Sequence, residues 1–182
     1  MKKFFGAIFI FVLLSGIAHA QASGNQIAGG TYFNVYSDGA ADAYAVLSKI
    51  DLNYLVYSGS AANGADNVSD MLAKTLDGLY LEVSDILDIH IYSFQGRIEI
   101  LTDQNAVNSA FKNLFAQDFN ERSFYIPEKN AIYLSFADLT LGLLGHEIAH
   151  AIISRYFVVP PPAKVQEVLS GYVEYKLRKS TE

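Results

Sequence analysis

His146-Glu147-Ile148-Ala149-His150 is the segment whose residue types and spacing carry recognisable chemistry. Four residues are just over one helical turn, so on a helix the two imidazoles project from one face, ~6 Å apart. Both then reach a single zinc ion. Glu147 sits ~100° around the helix, where it touches a water on the metal without ligating the metal, the position of a general base. The neighbours Leu143, Leu144, Gly145, Ala151 and Ile152 are uncharged and suit a helix buried at the floor of a cleft. Of the remaining histidines, His19 lies in the N-terminal segment and His90 reads as a core or surface residue.

Two histidines do not hold zinc alone, and a third protein ligand is needed. The chain has no Cys, and no Asp follows Asp138, which leaves Glu167 and Glu174 downstream. The metzincin extension, Gly three residues and His six residues after the second His, is absent: Ile153 and Tyr156 stand there. Geometry favours Glu167. From His150 the helix climbs ~10 Å to Phe157, turns through Pro160-Pro161-Pro162, and returns so that Glu167 comes back near the His level. Glu174, ~10 Å further along the same face, overshoots. One zinc held by His146, His150 and Glu167 keeps a position open for water. Glu147 then takes a proton from that water and delivers it to a leaving amine. The oxyanion that forms needs a further donor, for which Tyr172, Tyr156, Arg155 and His90 are candidates. Glu174 is a candidate for supporting the site from behind a ligand.

The elements that must position these groups read as α+β. Thr31–Tyr36 alternates as a strand after a loose, Gly/Ala/Ser/Asn-rich tail at Gln21–Gly30. Asp38 caps a helix running to about Tyr57, and Ser58–Asp66 is a loop. Val68–Asp88 carries a helical stripe of Leu72, Leu76, Leu79, Val83 and Ile86. Arg97–Leu101 is a strand and Asp103–Phe119 a helix. Arg122–Ile126 and Ala131–Phe136 form a hairpin about Pro127-Glu128-Lys129-Asn130. Asp138 caps the helix bearing the His-Glu motif, and a last helix spans Ala163–Arg178. The sum is a small sheet with about five helices and no second-domain linker.

Composition narrows the class and the compartment. The chain has 182 residues, 51% hydrophobic and 18% charged, about one domain's worth and too apolar for disorder. The net charge of −6 makes it a poor general nucleic-acid binder. Without Cys, disulfides, thiolate nucleophiles and Cys-ligated metal are excluded. Lys2 and Lys3, an apolar run from Phe4 to Ala18, and Ala18-His19-Ala20 read as a secretory signal peptide cleaved after Ala20. The run is shorter than the ~20 residues that span a bilayer. Cleavage removes two Lys and no acid, taking the net charge from −6 to −8. The expected organisation is a signal peptide at 1–20, a tail at 21–30 and one domain at 31–182. The product is periplasmic or secreted, with no stable membrane span after cleavage.

His146–His150 followed by Glu167-Val168-Leu169-Ser170-Gly171-Tyr172-Val173-Glu174 resembles the gluzincin metallopeptidases. It is similar in particular to the peptidase-MA-like group, whose second motif reads E-G-L-A-x-Y-hydrophobic-E. Glu167, Leu169, Tyr172 and Glu174 match; Val168 replaces Gly and Ser170 replaces Ala. The opening Tyr32–Asp38 also resembles that group. The specific match covers about thirty residues. It implies a zincin-like fold, with a mixed sheet on the active-site helix and Ala131–Phe136 as the cleft-side strand. It also implies a zinc-dependent peptidase acting on an extended polypeptide, which would add to the Ala131–Phe136 edge. Two features depart from the family. Thermolysin-like enzymes carry an acid four residues after the glutamate ligand to orient a zinc histidine, and Gly171 stands there. Only eight residues follow Glu174, so the C-terminal subdomain of larger gluzincins has no counterpart in this sequence.

Three rival readings follow from the same residues. A catalytically inactive zincin-like binding or assembly module of the cell envelope would bind zinc without turnover, or bind none. An intramembrane protease would use the mostly apolar Leu139–Val159, but such enzymes need several spans. A latent enzyme would lay the segment before Thr31, or Lys176–Glu182, in its own cleft.

Overall fold

The computed structural model describes residues 24–39, 41–50 and 64–180. The predicted signal peptide, residues 21–23 and the stretch 51–63 lie outside the described residues, and so does most of the predicted loop at Ser58–Asp66. Among the described residues the architecture is mixed α+β, with a five-stranded sheet and five α-helices.

Strands β1 (Asn25–Gly29), β2 (Phe33–Ser37), β3 (Gly96–Leu101), β4 (Ser123–Ile126) and β5 (Ala131–Ser135) lie in the order β1-β2-β3-β5-β4. β2, β3 and β5 are parallel, and β1 and β4 run antiparallel at the two edges. Period-two alternation gives each central strand two distinct faces. Phe33, Val35, Ile98, Ile100, Ile132 and Leu134 enter the main core, under helices α1 (Ala43–Lys49), α2 (Val68–Leu87), α4 (Leu141–Tyr156) and α5 (Ala163–Ser180). Leu101, Phe124 and Ile126 pack on the other face with Val107 and Phe111 of α3 (Gln104–Phe115).

Several expectations are corrected. Asn25–Gly29 is a strand, not part of a loose tail. Its backbone pairs with β2, and a register shift between Gln26 and Ala28 breaks the alternation that would have revealed it. α1 is capped by Asp42, whose carboxylate accepts from the Ala45 amide at 2.8 Å. Asp38 instead accepts from the amide and hydroxyl of Thr102. α4 is capped by Thr140 Oγ1, while Asp138 accepts from the Ser135 hydroxyl at 2.6 Å. α3 stops at Phe115 because Ala116 takes a left-handed conformation.

The cleft-side edge is also corrected. Ala131–Ser135 is an interior strand, bonded to β3 on one side and β4 on the other. The turn at Pro127–Asn130 folds β4 onto β5, so among the described residues Ser123–Ile126 is the edge strand. The described parts of the two segments that a latent enzyme would lay in its cleft are placed elsewhere. Asn25–Gly29 is at the opposite edge of the sheet, and Lys176–Ser180 continues α5.

α4 is buried around most of its circumference, between the sheet and α5. Ile148, Ala149, Ala151 and Ile152 are fully enclosed, which fixes the rotation of the helix and the direction of its polar side chains. The approach of α5 depends on Gly145, where a Cβ would meet Leu177 Cδ1 at 2.1 Å. Gly145→Ala is therefore expected to destabilise the protein by about 1 kcal/mol, as ~1–3 kcal/mol of overpacking against buried Leu177 exceeds the ~1 kcal/mol helix-propensity gain. A lower urea midpoint at unchanged m-value checks it; an unchanged or raised midpoint would show that Leu177 makes room freely.

Candidate metal centre

The i, i+4 spacing on α4 brings His146 and His150 together, with Nε2 atoms 3.2 Å apart. α5 returns antiparallel and presents Glu167 to both. Its two carboxylate oxygens lie 3.2 Å from His150 Nε2 and 3.7 Å from His146 Nε2. One donor atom from each of the three residues falls within 4.8 Å of the others. A tetrahedral zinc with bonds of ~2.0–2.1 Å separates its ligand atoms by about 3.3 Å. The donor set, two imidazoles and a carboxylate, and its spacing both fit that ion.

Glu147 leaves the helix on an adjoining side and is 5% exposed. Its Oε1 accepts a 2.7 Å hydrogen bond from the Ser123 hydroxyl, on the first residue of the edge strand. Ser123 is the residue that sequence reasoning missed. The signal was the alternation of β4: Phe124 and Ile126 face α3, so Ser123 and Tyr125 must face α4.

Glu174 is also at the site, but behind it. Its Oε2 is 3.3 Å from His146 Nδ1, the ring nitrogen turned away from Glu167. Seven residues after Glu167 is two helical turns, so both acids share a face of α5. Glu174 thus stands about one turn beyond Gly171, with its carboxylate against the ring nitrogen that does not face Glu167. Gly142 gives it room: a Cβ there would meet Glu174 Cγ at 3.1 Å.

Other candidates are not brought in. Tyr156 is near the end of α4, six residues past His150, exposed and packed on Phe157. Tyr172 is five residues after Glu167, roughly 140° around α5 from it. It is exposed, with Lys176 over its ring. His90 pairs with Asp85 at 2.8 Å, next to the C-terminal end of α2. Arg155 acts electrostatically on Tyr125, outside the cluster.

The site is acidic around a basic pair. Burial opposes charge on His146, but Glu174, Glu147 and Glu167 outweigh it and hold its pKa above the ordinary 6.5. The contact with His146 holds Glu174 below its ordinary 4.5, against its own burial. In the metal-free chain the share from Glu174 is present above pH 4.5 and is lost as pH falls through its lowered folded value. The share from His146 is present below pH 6.5 and is lost as pH rises through its raised folded value. Melting temperatures of chelator-treated protein should therefore show an increment between those two values that Glu174→Gln removes. The increment is small, since the Glu174 side chain is 38% exposed. Parallel pH profiles for the two proteins would exclude the coupling.

No protein-family model matches the chain, and no curated protein or solved structure matches it either.

Proposed function

We propose that this chain is an exported, zinc-dependent metallopeptidase of zincin-like fold and gluzincin type. The observation that carries the reading is the convergence of His146, His150 and Glu167 on one point, with Glu147 near enough to act electrostatically on His146. When bound there, zinc supplies Lewis-acid chemistry, polarising a carbonyl and acidifying water to near neutral pH. His146 and His150 present neutral Nε2 atoms, and Glu174 orients His146 through Nδ1. Glu147, held by Ser123, is the general base that removes a proton from the attacking water and returns it to the leaving amine. An extended polypeptide pairs along the free edge of β4, which carries Ser123 and so runs past Glu147. Export rests on the N-terminal sequence, with cleavage after Ala20; the N-terminal mass of the secreted product tests it.

The second reading is a zincin-like binding or assembly module of the envelope without turnover. It is favoured by the placement of Tyr156 and Tyr172, two of the four candidate oxyanion donors, away from the cluster. No helix among the described residues is long and apolar enough to cross a membrane, and α4 has 16 residues.

Elemental analysis of purified protein after chelator-free dialysis separates the outcomes. About one zinc per chain with peptide-library cleavage supports the peptidase. One zinc without cleavage of any peptide supports the module. No metal, even after zinc is offered, would overturn both zinc-dependent readings.

A further inference from the structure

The connection between α4 and α5 ends in an apolar tip that no other element among the described residues covers. Val158 is 101% exposed and Val159 81% exposed, and Tyr156 and Phe157 are exposed beside them. Soluble surfaces carry single exposed apolar residues routinely, but a run of four at a protrusion marks a contact site. The tip is built, not frayed. Pro160, Pro161 and Pro162 fix the backbone, and the buried Gln166 donates from Nε2 to the Pro161 carbonyl at 2.8 Å. The Val165 amide closes on Pro162 at 2.8 Å. Little ordering entropy is left to lose on binding.

Charge selects the partner. Tyr156 to Ala163 holds no charged residue, and the residues on either side are Arg155 and Lys164, both exposed. An acid, Glu128 on the Pro127–Lys129 turn, acts electrostatically on Tyr125, as Arg155 does. An uncharged apolar wedge with cationic shoulders is complementary to a bilayer carrying anionic headgroups: valines and aromatics enter the acyl boundary while the cations stay at the headgroups. We infer that the Tyr156–Pro162 tip docks this protein on an anionic lipid surface. The docking is peripheral, by a loop, and independent of whether metal is bound.

The absence of Cys makes the test direct, because a single introduced thiol is the only one in the chain. Val158→Cys and, as a control on exposed α3, Ser109→Cys are labelled with an environment-sensitive fluorophore in the full chain and in the chain from residue 21. Each is mixed with phosphatidylcholine vesicles and with vesicles containing phosphatidylglycerol. The label at 158 is expected to shift to the blue and brighten several-fold on the anionic vesicles, and the label at 109 to stay aqueous. Lys164→Glu combined with Arg155→Glu should weaken vesicle binding about tenfold, as should high salt. A label at 158 that stays aqueous with both vesicle types overturns the inference, even if the N-terminal segment holds the full chain on the membrane. A label that becomes dry without vesicles, in step with protein concentration, also overturns it and assigns the tip to a contact between two copies.

Discussion

Glu147→Gln is expected to abolish peptide hydrolysis while leaving zinc bound. The substitution keeps shape and volume and removes only the basic carboxylate. General-base removal typically costs ~10²–10⁴-fold in rate, with kcat rather than KM carrying the loss. The fold should tolerate it well. Glu147 is buried with one hydrogen-bond donor, Ser123, and a neutral amide oxygen accepts from that hydroxyl as readily as a carboxylate does. Removing a buried charge without leaving the donor unpaired is neutral or mildly stabilising. The informative experiment measures zinc content, melting temperature and kcat on the same preparation. Retained zinc, an unchanged or higher melting temperature and lost turnover support a base role. Retained zinc with retained turnover would remove Glu147 from the mechanism. Ser123→Ala offers the complementary probe. Glu147 then loses the contact that fixes its rotamer, so a partial loss in kcat is expected and zinc binding should not change.

The site was legible in the sequence because its chemistry depends on a local period. His146, Glu147 and His150 lie within little more than one turn, and helical geometry alone places them. Glu167 was reachable because so few alternatives remain in a chain without Cys and without Asp after Asp138. The outer arrangement was less legible. That Glu174 lies beyond the point where His146, His150 and Glu167 converge follows from helical rise; that it stops beside His146 Nδ1 depends on how closely α5 approaches, which Gly142 and Gly145 set through contacts across the helix pair. Strand order is a tertiary property as well. Both arms of the Ser123–Ser135 hairpin alternate, and nothing local says which arm β3 will take as its partner. Burial decides it. β5 offers Ala131, Ile132, Leu134 and Ser135 as buried positions, whereas β4 begins at partly exposed Ser123 after Arg122. The caps failed for a related reason. Asp38 and Asp42, like Asp138 and Thr140, are competent residues within four positions, and the one chosen is the one the adjoining strand leaves free.

Two acids face the histidine pair from one side of α5, and their substitution should separate a ligand from its support. Glu167→Ala removes one of the three donors proposed for zinc. Apparent zinc binding energies in fully protein-ligated sites are ~10–16 kcal/mol, so one donor of three accounts for about 3–5 kcal/mol, or roughly 10²–10⁴-fold in affinity. Glu174→Gln leaves all three donors in place and loosens only the orientation and basicity of His146, an effect of ~10–100-fold. Competition with a chelator of known affinity reads both numbers without reference to activity. The metal-free proteins supply the control. Glu167 and Glu174 both favour the charged form of His146 when the metal is absent, and Glu174, in contact with Nδ1, has the larger share. Glu174→Gln should therefore alter the stability of the apo protein between pH 4.5 and 6.5, whereas Glu167→Ala should act chiefly on the loaded form. A reversed order of zinc affinities, with Glu174→Gln the more damaging, would make Glu174 the third ligand. His146 would then have to present its Nδ1 side, which already lies 3.3 Å from Glu174, and His150, one turn further along α4, would have to be reached from there.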